Sequence, residues 1–427
     1  MSTQSSALPL APASGATPSA PALPPPLAAG SREHRAARWA LFVGGFATFA
    51  MFHGPQPLLS LFAQAFALTP AQASGMLSGT AGAMAIGLVP AGLLAQRFGP
   101  KRVMVVSLAL GSLCCLLFAI APDYATLLAL RALLGLALAG LPAVCSAYLA
   151  EELEPGALGQ AVGLVIAGNA AGGMSSRLVC GVLADLVSWR VALAGLGALG
   201  VLAAIEFRRT LPDARRFHPR PFDAARSRSE FANVFRQPGL VPLFLLGLLL
   251  MGAFMSLYNY LGFRLVAAPF ALSHAGVGAI FLLYIVGMVS SPWAGRQADR
   301  RGSSPVLARM LALMAIGLAL TAFDRLPAIV AGVAVFTFGF FGAHSVATAW
   351  VGRLSGRAKS LAAAIYLTAY YLGASAMGWL GGHAWAAGEW SGMLVFLGAL
   401  WVACALAALR LRLNSGAGLN SGSGPKT

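Results

Sequence analysis

Four ionisable side chains, His53, Arg131, Arg177 and His344, fall inside long apolar runs of this chain. An arginine near the centre of a bilayer costs about 2.5–3.5 kcal/mol on insertion scales, so each charge there needs a protein partner or a solute that supplies one. Arg177 is the sharpest case. It stands twelve residues before Trp189, about 18 Å along a helix, too far to reach a membrane surface easily. It is either an anchor for a carboxylate, phosphate or hydroxyl, or an arginine satisfied by carbonyls, Asn169 and a tyrosine across the bundle. Arg131, six residues inside the end of its run, has snorkelling to the interface as its plain alternative. Carboxylates are absent from these depths: Asp123, Asp185, Asp324 and Glu389 fall at one end of the runs and the remaining acids at the other. A step that moves a proton therefore falls to His53, His344 or water held by an arginine, and an imidazole with an ordinary pKa of about 6.5 suits it.

Around these groups stand Gln56, Asn169, Tyr258, Asn259, Tyr370 and Tyr371, with Tyr284 and Trp350. The tyrosines read as an aromatic wall for a drug-like or sugar-like ligand, or simply as packing. Gly54-Pro55, with Pro57 behind it, predicts a break beside His53. Irregular backbone at that depth is tolerated only where it lines a cavity or is buried in protein.

The elements that must position these residues are membrane helices. The 427 residues are 58% hydrophobic and 10% charged, with mean hydropathy +0.76. Twelve spans are predicted, at 38–66, 72–96, 102–121, 125–149, 157–187, 190–207, 240–266, 275–297, 305–323, 327–351, 359–386 and 391–410, each holding roughly the 20 apolar residues a bilayer needs. The third, sixth, ninth and twelfth carry no charge, His, Asn, Gln or Tyr over 103–121, 191–205, 310–322 and 392–409, as suits lipid-facing helices. The polar groups sit on the other spans, which must face a shared cavity.

A net charge of +16 would suggest nucleic acid if it were spread. Instead the arginines and lysines cluster before the first span, in every second loop and after the last. That pattern is a topology signal placing both termini in the cytoplasm. The five cysteines lie in apolar runs without metal-ligand spacing, and neither a metal nor another cofactor is called for. No Gly-x-Ser-x-Gly, His-Glu-x-x-His, P-loop or pair of deep carboxylates is present, so the chain does not read as an enzyme.

Two loops repeat. GLLAQRFGPKRV at 92–103 and GRQADRRGSSPV at 295–306 align Gly92 with Gly295 and Gly99 with Gly302. The offset implies an all-α membrane protein of two pseudo-symmetric six-helix bundles. The divisions expected are a disordered tail 1–37, a first bundle 38–207, a cytoplasmic linker 208–239, a second bundle 240–412 and a flexible tail 413–427.

Over about 38–412 the chain resembles the major facilitator superfamily. The family's loop motif Gly-x-Leu-Ala-Asp-Arg-x-Gly-Arg-Lys is matched at Gly92, Leu94, Ala95, Arg97, Gly99 and Lys101, and at Gly295, Ala298, Asp299, Arg300 and Gly302. Arg131 in LLALRALLGLALAG and the run Gly181, Leu183, Ala184, Asp185, Trp189, Arg190 are further marks. More loosely, GNAAGGMSSR at 168–177 and AHSVATAW at 343–350 look like drug/proton antiporter-type permeases of the acriflavine-sensitivity branch.

The resemblance implies a monomeric secondary transporter of the bacterial inner membrane that rocks one bundle against the other. On this expectation it exports a small drug-like or sugar-like solute in exchange for protons. The alternative is an organic anion or polyhydroxylated solute read by Arg131 and Arg177, and a non-transporting receptor stands further off. The resemblance also implies that Arg131 aids proton transfer or holds the bundle, and that Ser176-Arg177 stands where relatives with the antiporter motif carry a helix-shaping Gly-Pro pair. The loop aspartate, in the family a latch of the cytoplasmic gate, is Asp299 in the second copy and Gln96 in the first. Arg97, Lys101 and Arg102 are then expected to face Glu151, Glu152 and Glu154.

Overall fold

A computed structural model describes residues 24–28, 30–217 and 224–420. The tails expected over 1–37 and 413–427 and the linker at 208–239 therefore fall partly outside the described residues.

Nearly everything described is helical. Helix α1 (Arg32–His53) is followed by a 3-10 turn at Gln56–Leu58 and by α2 (Leu59–Ala65). Then come α3 (Pro70–Phe98), α4 (Pro100–Ala119), α5 (Tyr124–Leu138), α6 (Gly140–Glu152), α7 (Pro155–Leu186) and α8 (Trp189–Thr210). A short helix, α9 (Ala224–Arg236), lies between the halves. The second half holds α10 (Leu240–Val266), α11 (His274–Ile280), α12 (Tyr284–Arg301), α13 (Ser303–Leu320), α14 (Leu326–Leu354) and α15 (Lys359–Asn420), which is interrupted by non-helical backbone at Gly388 and Glu389.

Local chemistry sets the helix ends. Thr69 and Gln72 form a reciprocal capping box ahead of Pro70, and Asp123 accepts from the Thr126 N–H at 2.8 Å. Those N–H bonds hold the exposed Asp123 carboxyl below its ordinary pKa. The repeated loops share one stop signal: Gly99 and Gly302 take φ of 90° and 87°, a conformation open to glycine, and each caps the helix before it.

Among the described residues, nine helices are long and apolar enough to cross a membrane, with α5–α6 and α11–α12 each counted as one. The last of the nine, Leu361–Leu413, runs 53 residues through the kink. Helices α1 and α7 fall outside that count and run against each other.

Each half contains helix pairs that touch backbone to backbone. A Cβ added at Gly172 of α7 would overlap the Phe46 carbonyl of α1, and one at Gly373 of α15 would overlap the Leu248 carbonyl of α10. Without side-chain bulk the helices pack by direct contact, the usual means of association in lipid. Gly172→Ala is expected to force α1 and α7 apart and lower the thermal unfolding temperature in detergent. An unchanged melt would show that the pair tolerates a wider spacing.

The halves meet through α3 against α15 and α7 against α11. The contacting residues, such as Ser74 with Gly378 and Gly181 with His274, lie in the part of the bundle remote from the arginine-rich loops.

Candidate functional site

Pro55 has no N–H to offer the Met51 carbonyl, so α1 stops at His53 and leaves acceptors open at its end. Arg131 of α5 fills two of them. Its guanidinium donates to Met51 O at 3.1 Å and Phe52 O at 2.7 Å, and its Nε to Met76 O of α3 at 3.4 Å. It is fully buried and acts as a charged cap on the break in α1.

The turn that follows presents Gln56 to Arg177. Arg177 is 1% exposed. Its Nε donates to Gln56 Oε1 at 2.8 Å, one Nη to the Gly173 carbonyl at 2.7 Å, and the other to the Tyr284 hydroxyl at 3.2 Å. The guanidinium lies 4.5 Å from the Phe281 ring centroid and 4.8 Å from that of Tyr284. These partners are all neutral, and three of the five N–H donors an arginine carries are engaged.

From Gln56 the bonding continues into the other half. Gln56 Nε2 donates to Asn259 Oδ1 at 2.7 Å, Asn259 Nδ2 to Ser74 Oγ at 2.9 Å, and Ser74 Oγ to the Gly378 carbonyl at 2.9 Å. His53 sits beside this group. A Cβ at Gly173 would stand 3.1 Å from Arg177 Nη1 and 4.0 Å from His53 Cδ2. Its Nδ1 is buried without a hydrogen-bond partner, and its ring packs on Phe49 and Phe52.

A second cluster forms around His344. Its Nδ1 is 2.9 Å from the Tyr366 hydroxyl, and its ring lies 6.1 Å from Phe340 and 4.7 Å from Tyr370, which is edge-on to Tyr371. Thr348 donates to the His344 carbonyl, not to its ring. Stacked Phe340 and Phe254 connect this cluster to Tyr284, and hence to Arg177. Tyr258 shares a 2.8 Å hydrogen bond with Thr337 and packs on Phe281. Tyr371 meets Phe52 across the seam with 6.2 Å between centroids.

The structure thus brings together Arg177, Gln56, Asn259, Tyr258 and His53, and joins His344, Tyr370 and Tyr371 to them through aromatic rings. Arg131 is turned to the α1 break. Asn169 stays apart: its Oδ1 is unpartnered and faces Gly45 of α1. Phe281, which lies under the Arg177 guanidinium, and Ser74, which bonds Asn259, had no assigned role in the sequence, and Tyr284 stood there only among the other tyrosines. The available signal was the need of Arg177 for a partner across the bundle, but no spacing connects position 177 to position 284.

The loop residues divide by half. In the second copy Asp299 lies 3.9 Å from Arg353 of α14, and Arg353 also bonds Ser303. Gly295 approaches Ser345, while Arg300 is exposed beside Gly302. In the first copy Gln96 and Arg97 are exposed, Arg97 lies over the Phe98 ring, and a Cβ at Gly92 would meet open space. Lys101 pairs with Asp213 at 3.0 Å. The returning chain after α8 brings Asp213 there. Tyr148 bonds Pro212 O, and the Glu152 carboxylate takes the Arg216 backbone N–H at 2.9 Å.

At the far end a carboxylate bridges the halves. Asp185, closing α7, accepts from the His274 and Ala275 N–H groups that open α11 and lies 2.8 Å from His274 Nδ1. Arg264 there bonds Asp324 at 2.7 Å and the Thr321 and Phe323 carbonyls, within one half.

Comparison with known proteins fits this geometry. The chain is 38% identical over 383 residues to the uncharacterized MFS-type transporter YybF of Bacillus subtilis (strain 168), covering 88% of this chain and 95% of that one. It is 41% identical over 375 residues to the inner membrane transport protein YnfM of Escherichia coli (strain K12), covering 87% and 89%. Its fold matches a bacterial homolog of the human lysosomal transporter Spinster, in an inward-facing and occupied conformation, with TM-score 0.75 at 16% identity over 90% of this chain and 98% of that one. Residues 41–291 match the family model described as Major Facilitator Superfamily. The duplicated loops, the paired helical halves and these matches place the chain in the major facilitator superfamily, as a multi-pass membrane transporter of small molecules and not an enzyme.

Proposed function

We propose that the protein is a secondary active transporter of the bacterial inner membrane that binds a small organic anion or polyhydroxylated solute at Arg177 and works by alternating access. The observation that carries this reading is a fully buried guanidinium on the seam between the halves, hydrogen-bonded to neutral groups, with donors left over. A cation held this way has been dehydrated without the charge partner that would offset the cost, and a solute oxygen supplies it. The site also sits where helices of both halves meet, the place expected of a rocking carrier.

Twelve crossings and cytoplasmic termini go with this proposal. In support, Leu361–Leu413 is long enough for two crossings, and α1 and α7 add two more to the remaining eight helices. With the arginine-rich loops cytoplasmic, the closed far end is the outer one.

The test is transport in vesicles of defined orientation, offered benzoate, succinate and gluconate against a cationic dye. Movement or competition by the anions or gluconate is expected; pumping of the dye with no response to them would overturn the reading.

A second reading, proton-coupled export of a drug-like solute as in the acriflavine-sensitivity branch, is favoured by the His344, Tyr366, Tyr370 and Tyr371 cluster. It predicts that His344→Gln retains solute binding but loses the pH dependence of flux. Unchanged pH dependence would set it aside.

A further inference from the structure

The hydrogen bonds that leave Arg177 run in one direction. A guanidinium offers only donors, so the Gln56 amide must turn its oxygen toward Arg177 and its NH2 away. That NH2 meets the Asn259 oxygen, the Asn259 NH2 meets Ser74, and Ser74 donates to the Gly378 carbonyl, where Tyr260 also donates at 3.0 Å. Every amide orientation is therefore set by the charge at the head of the chain. Arg177, Gln56, Asn259 and Ser74 are each at most 2% exposed, so water does not substitute for a lost partner.

The chain also weaves between the halves. Gln56 and Ser74 belong to the first, Asn259 and Gly378 to the second, so it crosses the seam three times. Opening the far end requires breaking each crossing.

We propose that the solute is the key to this closure: an anion bound at Arg177 draws the guanidinium off Gln56, the chain loses its orienting charge, and the far end opens only when the carrier is loaded. The inference rests on the anion reading of Arg177. A ligand shifts a conformational equilibrium only by its difference in affinity between the two states. Here that difference is built in, because the Nε–H that serves Gln56 in the closed state is free for the solute once the chain parts. An empty carrier closed at the far end keeps the chain and stays shut, so it cannot open there unloaded. Solute is accordingly taken up from that side by trade for one carried out, with little net uptake.

The experiment uses the full chain in proteoliposomes with labelled benzoate, succinate and gluconate in turn. Uptake is compared between vesicles loaded with the same unlabelled anion and vesicles left empty. The wild type is expected to exchange at least about tenfold faster than it takes up net solute. Asn259→Ala and Ser74→Ala, which cut the chain beyond Gln56, are expected to bring the two rates close together by raising net uptake. If anions move but the wild-type rates are equal, this inference fails while the anion reading stands. If no anion moves in either mode, the anion reading itself fails. Retention of the full ratio in both variants, each folded, would show that the chain is not the lock.

Discussion

Arg177→Gln abolishes saturable anion transport and leaves the protein at least as resistant to heat. The two outcomes come from one cause. Each charge-assisted hydrogen bond from the guanidinium to a solute oxygen is worth about 1.5–3 kcal/mol, so losing even one raises KM by about tenfold or more. Yet the charge is also a burden on the fold, since burying it costs about 2.5–3.5 kcal/mol and its partners Gln56, Gly173 and Tyr284 are neutral. A glutamine relieves that cost while keeping a donor for Tyr284. Transport in proteoliposomes and a thermal melt in detergent, measured on the same preparation, decide the matter. Retained transport with a lowered melting temperature would assign Arg177 to structure and sink the solute site.

Arg131→Leu has the opposite signature. Arg131 covers carbonyls that the break at Pro55 leaves without helical donors. Removing it strands Met51 O and Phe52 O in a water-free interior, at about 1–3 kcal/mol each, so a loss of about 2–6 kcal/mol is expected. Arg131→Lys recovers a part of this, because one ammonium cannot reproduce the planar fork that meets two carbonyls at once. The readout is the fraction of monodisperse protein surviving a heat step. A leucine variant as stable as the wild type would mean that the α1 break is capped by something else. Together the two substitutions separate an arginine held for the solute from one held for the fold, although both are fully buried.

Much of this was written plainly in the sequence. The twin loops revealed the duplication because a glycine forced to φ near +90° cannot be freely replaced, and Gly99 and Gly302 both adopt it. The Gly54-Pro55 break was legible because proline lacks an N–H whatever surrounds it. Arg177 stood out because charge at depth is costly in any fold.

The partners were not legible. Tyr284 is 107 residues from Arg177 in sequence, and Asn259 is 203 from Gln56, so only the docking of one half on the other selects them from several similar groups. The arginines looked alike for the same reason. Nothing local says that Arg131 turns toward carbonyls while Arg177 turns toward an amide and two rings. The Lys101–Asp213 pair was missed because the path of the chain after α8, not the composition of either loop, brings it about.

The contacts at Gly172 and Gly373 bear on how such a carrier diversifies. Where α-carbon lies against carbonyl there is no side chain to exchange, so the spacing within each half is fixed and cannot be tuned by small steps. Variation is left to the bonded cluster, where Gln56, Tyr284, His344 and Tyr370 project from elements whose positions are already settled. A descendant of this chain can acquire a new solute by replacing those few side chains and inherit the machinery of movement intact.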